Sequence, residues 1–128
     1  MNLLIDTHLL LWVAGGSGKL SREALQMIND DSNRPYFSAV SILEVVIKNA
    51  LQREDFYVDP NLFKRGLVDN GYEELVITSA HSLGVAHLPP IHKDPFDRLL
   101  LAQAELEGFL LLAFDAVVAQ YPGPVQLV

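Results

Sequence analysis

The chain has 128 residues, half of them apolar and a fifth charged, with no cysteine and a formal net charge of −7. That length suits a single domain over residues 1–128; the missing cysteines exclude disulfides, zinc ribbons, iron–sulfur clusters and cysteine nucleophiles, and suit a cytoplasmic protein. The acidic balance argues against a high-affinity DNA-binding module, which wants a basic face. It weighs much less against an acidic site that recruits a dication for phosphate chemistry.

Residues 2–6 form a continuous apolar run closed by an acid, the pattern of a short strand buried on both faces. The N-terminus shows no basic stretch and no small-residue cleavage site, so a secretory signal is not expected. Residues 9–14, with Trp12, predict a short helix stopped by Gly15-Gly16-Ser17-Gly18. A second helix follows Ser21 as cap, with Leu25 and Ile28 on one face. Asn33-Arg34-Pro35 reads as a turn and residues 36–38 as a second strand. The spacing of Ile42, Val45, Val46, Asn49 and Ala50 predicts a helix over 39–51. Asp59-Pro60 opens a helix over 61–69, which Asn70-Gly71 closes.

Residues 75–77 read as a third strand, 79–86 as a short helix and 88–93 as an extended loop. Asp94-Pro95 starts a helix to about residue 107, with Leu99, Leu100, Ala102, Gln103 and Leu106 giving its period and Gly108 its stop. Residues 109–114 form a fourth strand, 115–120 a short helix, and Pro122-Gly123-Pro124 turns the chain into a last strand over 125–128. No apolar run approaches the roughly 20 residues of a membrane helix. Strands alternating with helices, and apolar on both faces, predict an α/β fold. It is a three-layer α/β/α arrangement around a central, mainly parallel sheet of four to five strands.

Several acids stand at the boundaries of these elements. Asp6 ends the first strand and can cap the following helix. Glu44 completes Ser41-x-x-Glu44, a capping-box pattern, and stands one turn before Lys48. Asp94 is a natural N-cap before Pro95, and Asp97 suits the dipole of the same helix. Asp115 follows the fourth strand and can cap in turn. Capping explains each acid singly, but not why they gather at strand ends. In a parallel sheet those carboxyl ends open on one side, where α/β folds bind ligands. Acids collected there raise one another's pKa unless a cation sits among them. An oxygen donor set selects a hard cation, Mg²⁺ or Mn²⁺.

Four segments together resemble PIN-domain proteins: Leu4-Ile5-Asp6-Thr7-His8 running on to Trp12, Ser38 to Lys48, Asp94-Pro95-Phe96-Asp97-Arg98 running on to Ala104, and Leu111 to Asp115. The branch they resemble is the VapC toxin-like ribonucleases of bacterial toxin–antitoxin pairs. The resemblance covers essentially the whole chain, in order. It implies a PIN-like fold and a metal-dependent endoribonuclease that leaves 5′-phosphate and 3′-hydroxyl ends, with structured RNA such as tRNA as a substrate class. It implies catalytic and metal-binding roles for Asp6, Glu44, Asp97 and Asp115; of these we read Asp6 and Asp97 as direct ligands, and Glu44 and Asp115 as binding through water or helping to activate it. Asp94 matches an additional acid, and Thr7 and Ser38 match hydroxyls bordering the site. A small antitoxin partner and a homodimer follow from the same resemblance; a membrane partner does not.

Ala113 departs from the family pattern, which usually has Thr or Ser two residues before the last acid, and Leu43 stands where Trp is common. Ala113 supports an alternative: a catalytically degenerate PIN module that binds protein or RNA. A receiver or haloacid-dehalogenase-type phosphotransfer domain is disfavoured, because Asp6-Thr7-His8 lacks the Asp-x-Asp pair. His8 is placed to touch a phosphate or orient Asp6, or simply to start a helix. Lys93 and Arg98 flank the acids and read either as phosphate contacts or as solvated charges. His81, His87 and His92 show no ligand spacing and read as surface or packing residues. Trp12 reads as core or as part of a partner surface.

Overall fold

The computed structural model describes residues 1–51 and 57–128. Five strands, β1 (Asn2–Ile5), β2 (Arg34–Ser38), β3 (Glu73–Leu75), β4 (Leu110–Ala113) and β5 (Val125–Leu127), form one sheet of order β3-β2-β1-β4-β5. Every neighbouring pair is parallel. Parallel pairs need crossovers; β4 reaches β5 through a 3₁₀ turn, Val118–Gln120, and the other connections carry α1 (Thr7–Gly15), α2 (Arg22–Asn29), α3 (Ala39–Ala50), α4 (Pro60–Asp69), α5 (Ser79–Gly84) and α6 (Pro95–Glu107). No helix among the described residues is long and apolar enough to cross a membrane.

The two-residue alternation of the strands divides the core. Leu3, Ile5 and Leu112 pack with Leu9 and Leu10 of α1, Val45 of α3 and Phe63 and Leu67 of α4. Leu4, Leu111 and Ala113 point the other way, into Leu100, Leu101 and Ala104 of α6. The sheet is therefore the middle of three layers, as its doubly apolar strands predict.

Three elements differ from their sequence-based ranges. Pro35 lies inside β2, opposite Leu3, rather than in a turn. Its missing N–H is tolerated because β3 begins only opposite Tyr36, so Pro35 has no strand beside it on that side. β3 pairs through Glu73, Glu74 and Leu75, and Val76 and Ile77 lie beyond it, exposed. The helix predicted over 115–120 is only a 3₁₀ turn, Val118–Gln120.

From β1 the chain winds outward to β2 and β3, then returns to β4 and β5 on the other side of β1. The strand order reverses between β1 and β4. Outside their carboxyl ends lies the crevice where such sheets bind ligands.

Candidate active site and metal centre

Asp6 stands at that reversal. It caps α1, and its Oδ1 accepts the Leu9 N–H at 2.9 Å. Its Oδ2 accepts the Phe114 N–H, also at 2.9 Å, which fastens the end of β1 to the end of β4. One carboxylate thus has a fixed orientation and is buried. Burial is the main reason its pKa is raised, against the two N–H bonds and His8, which lower it.

Glu44 arrives from α3. That helix is capped by Ser38, whose Oγ accepts the Val40 N–H at 3.0 Å. Ser41 is therefore one turn inside the helix, and the Ser41–Glu44 capping box expected from sequence does not form. Ser38 pre-empts it, leaving the buried Ser41 hydroxyl to accept from Thr7 Oγ1 at 2.8 Å. This bond joins the helix after Asp6 to the helix of Glu44. Glu44 lies one turn further along the same face. It is buried, and its Oε2 pairs with Lys48 Nζ at 2.6 Å. Its Oε1 is buried with no hydrogen-bond partner among the described residues. An orphaned carboxylate oxygen is costly to bury.

The third wall is the start of α6. Asp94 caps it, its Oδ1 accepting from the Phe96 N–H at 2.8 Å and the Asp97 N–H at 3.4 Å, with Pro95 in the first turn. Asp97 follows, and its Oδ2 lies 2.9 Å from His92 Nε2. One ligand atom from each of His92, Asp94 and Asp97 lies within 4.8 Å of the others. Desolvation, then the charge of Asp94, push the Asp97 carboxyl up to about 6; the His92 bond pulls it down and Glu44 and Asp6 add to the rise.

Asp6, Thr7, His8, Glu44, Asp94, Asp97 and Asp115 line one cavity of about 810 Å³ together with Lys19, Lys48, His92, Leu11 and Trp12. Asp115 is exposed, and its Oδ1 accepts the Val117 N–H at 2.8 Å. The donors fit a hard divalent cation: carboxylate oxygens from three elements, one imidazole nitrogen, and a buried Glu44 oxygen that nothing among the described residues satisfies.

A model of the PIN domain matches residues 3–124 of this sequence. The chain belongs to the PIN-domain family. Its fold is similar to solved structures of VapBC2 from Rickettsia felis bound to a DNA fragment from its promoter, with a TM-score of 0.72, 11% identity, and 99% of this chain and 98% of that one covered. It is similar too to a toxin–antitoxin complex from Klebsiella pneumoniae, with a TM-score of 0.65, 19% identity and coverage of 97% and 95%. VapBC-1 from nontypeable Haemophilus influenzae gives a TM-score of 0.63, 14% identity and coverage of 99% and 98%. At such identities the likeness is one of fold. No curated protein matches the sequence.

This PIN domain gathers most of the residues expected from sequence, and corrects two. Ser38 does not border the cavity: it is fully buried and donates to Gln103 Oε1 at 2.6 Å. Arg98 does not line the cavity. Successive helical residues diverge by about 100°, so beside Asp97 its guanidinium turns to the carbonyls of Pro89, Val85 and Leu88 and to Tyr121 Oη. Tyr121 Oη in turn accepts the His92 N–H at 2.7 Å and donates to His92 O at 3.2 Å. Arg98 and Tyr121 thus hold the loop that presents His92.

His92 is the cavity residue that sequence reasoning misses, since its spacing points only to a surface or packing role. The signal was its place two residues before Asp94, in the loop entering α6. His81 is a packing residue as read: it is buried and bonded to Glu107 Oε1 at 2.8 Å. Lys93 and His87 are exposed and line no part of the site cavity.

Proposed function

We propose that this PIN domain is a Mg²⁺- or Mn²⁺-dependent endoribonuclease that acts in the cytoplasm as the toxin of a toxin–antitoxin pair. The observation that carries the reading is Glu44: a buried carboxylate with one oxygen unpartnered among the described residues, sharing a cavity with Asp6 and Asp97. When bound, a divalent cation supplies Lewis acidity toward phosphate oxygen and lowers the pKa of water.

The chain's own residues prepare the rest. Asp6 is held by two backbone N–H groups and cannot rotate away. His92 fixes the orientation of Asp97. Lys48 offsets one charge of the acidic cluster through Glu44, and Lys19 stands on the cavity wall as a cation for a phosphate. Asp115 Oδ1 accepts the Val117 N–H, a bond that orients its carboxylate without a hydroxyl at position 113. The degenerate-module reading gains nothing from the geometry. Asp6, Glu44, Asp97 and Asp115 are the proposed catalytic set, with Asp94 and His92 beside them and Thr7 bordering.

The similar folds named above are toxin–antitoxin complexes, and we extend that arrangement to a small antitoxin covering this cavity. Leu43, Val46 and Ile47 of α3, with Leu51 at its C-cap, are exposed apolar residues that suit a protein contact, antitoxin or second copy. The test is cleavage of a mixed RNA pool with Mg²⁺, Mn²⁺ or EDTA. Wild type should cut only with metal and leave 5′-phosphates. Asp6→Asn and Glu44→Gln should each lose about 100-fold or more. Equal cleavage by wild type and Asp6→Asn would sink the assignment.

A further inference from the structure

An aromatic cluster stands at the rim of the acidic cavity. His8 and Trp12 both line that cavity. Their ring centroids are 4.7 Å apart at an interplanar angle of 73°. Phe114 completes the cluster, 4.5 Å from His8 and 4.9 Å from Trp12. Capping does not require these rings; Trp12 packs in part against the core, whereas His8 and Phe114 do not. Phe114 is 44% exposed and His8 is exposed. The cluster is also tied to the chemistry: the Phe114 N–H holds Asp6 Oδ2, and His8 follows Asp6 by two residues.

We infer that His8, Trp12 and Phe114 form a stacking platform for an unpaired nucleobase next to the phosphate addressed by the carboxylates. The inference rests on the nuclease reading and narrows its substrate to single-stranded or looped-out nucleotides. Charge favours this occupant. Five carboxylates line the cavity against two lysines, one of them already paired with Glu44. The chain as a whole carries −7. Electrostatic attraction to a polyanion is therefore weak, and a grip on RNA must come largely from a contact indifferent to charge. Base–aromatic stacking is such a contact, and it needs a base out of its duplex. The rings meet edge to face or tilted, the arrangements that aromatic pairs prefer.

Trp12 is the chain's one tryptophan, so its fluorescence reports on the platform directly. Wild-type protein with Mg²⁺ is mixed rapidly with a single-stranded RNA octamer, the same strand in a duplex, and an octamer of abasic sugars with the same phosphates. Quenching by the single strand, about 5-fold or more weaker with the other two, is the expected result. Phe114→Leu, checked by its melting curve, should raise KM for the single strand about 5- to 10-fold, with the effect falling on KM rather than kcat, and Phe114→Tyr should restore it. RNA cleavage with no Trp12 response and no KM change overturns the platform and leaves the nuclease reading standing. A Trp12 response without cleavage upholds the platform and overturns the nuclease. Equal quenching by the abasic octamer overturns the platform as well.

Discussion

Asp97 sits where burial and the charge of Asp94 both oppose its ionisation, and the His92 contact only partly offsets them. Its pKa is about 6 when folded, against 3.8 for the ordinary carboxyl. The folded state therefore holds this proton more tightly than the unfolded chain does. The resulting stabilisation is fully present below about pH 4 and is lost as pH rises through about 6. In EDTA at pH 7, Asp97→Asn should melt about 2–5 °C above wild type while losing activity, and the gap should close at pH 4. A lower melting point for the variant at pH 7 would refute the account. The acids themselves were legible because each occupies a recognisable cap or strand-end position. His92 was not, because spacings of two and three residues across a loop-to-helix junction follow no period. Arg98 misled because neighbours in sequence are not neighbours around a helix.

At the scale of elements, helix stops and most starts were legible from chemistry. Gly16 and Gly108 end α1 and α6 at φ of 60° and 72°, the left-handed conformation glycine adopts without strain. The start of α3 was ambiguous, because Ser38 and Ser41 both precede apolar residues and only tertiary contacts choose. Ser38 prevails: its Oγ caps Val40 and donates to Gln103, whose Nε2 donates to Val76 O at 3.3 Å. β3 was displaced for a related reason. Its apolar residues suggested 75–77, whereas pairing with β2 selects Glu73–Leu75; an edge strand tolerates charges there. Gln103 thus links α6, α3 and the exit of β3. Gln103→Leu strands the Ser38 hydroxyl and the Val76 carbonyl, and should cost about 1–3 kcal/mol in urea unfolding. Adding Ser38→Ala should cost less than the two single changes summed, a coupling that additive losses would disprove.

Across the whole molecule, alternation of strand and helix made a parallel three-layer fold legible, but not which side of β1 each later strand joins. That choice creates the crevice between β1 and β4 and brings Asp6, Glu44, Asp97 and Asp115 to one cavity. The gathering costs stability, since like charges meet in a partly desolvated space. A ligand that binds only the folded state returns stability as RT ln(1 + [L]/Kd), about 2.7 kcal/mol at a hundredfold excess over Kd. Mn²⁺ should therefore raise the wild-type melting temperature on the order of 10 °C over EDTA. The rise should shrink from pH 7 to pH 5, because below a pKa of about 6 the Asp97 proton competes with the cation. Asp6→Asn and Glu44→Gln should lose most of the rise while still folding. If Mn²⁺ shifts wild type and both variants equally, the cation binds elsewhere on an acidic surface, and the gathered carboxylates have no metal to hold.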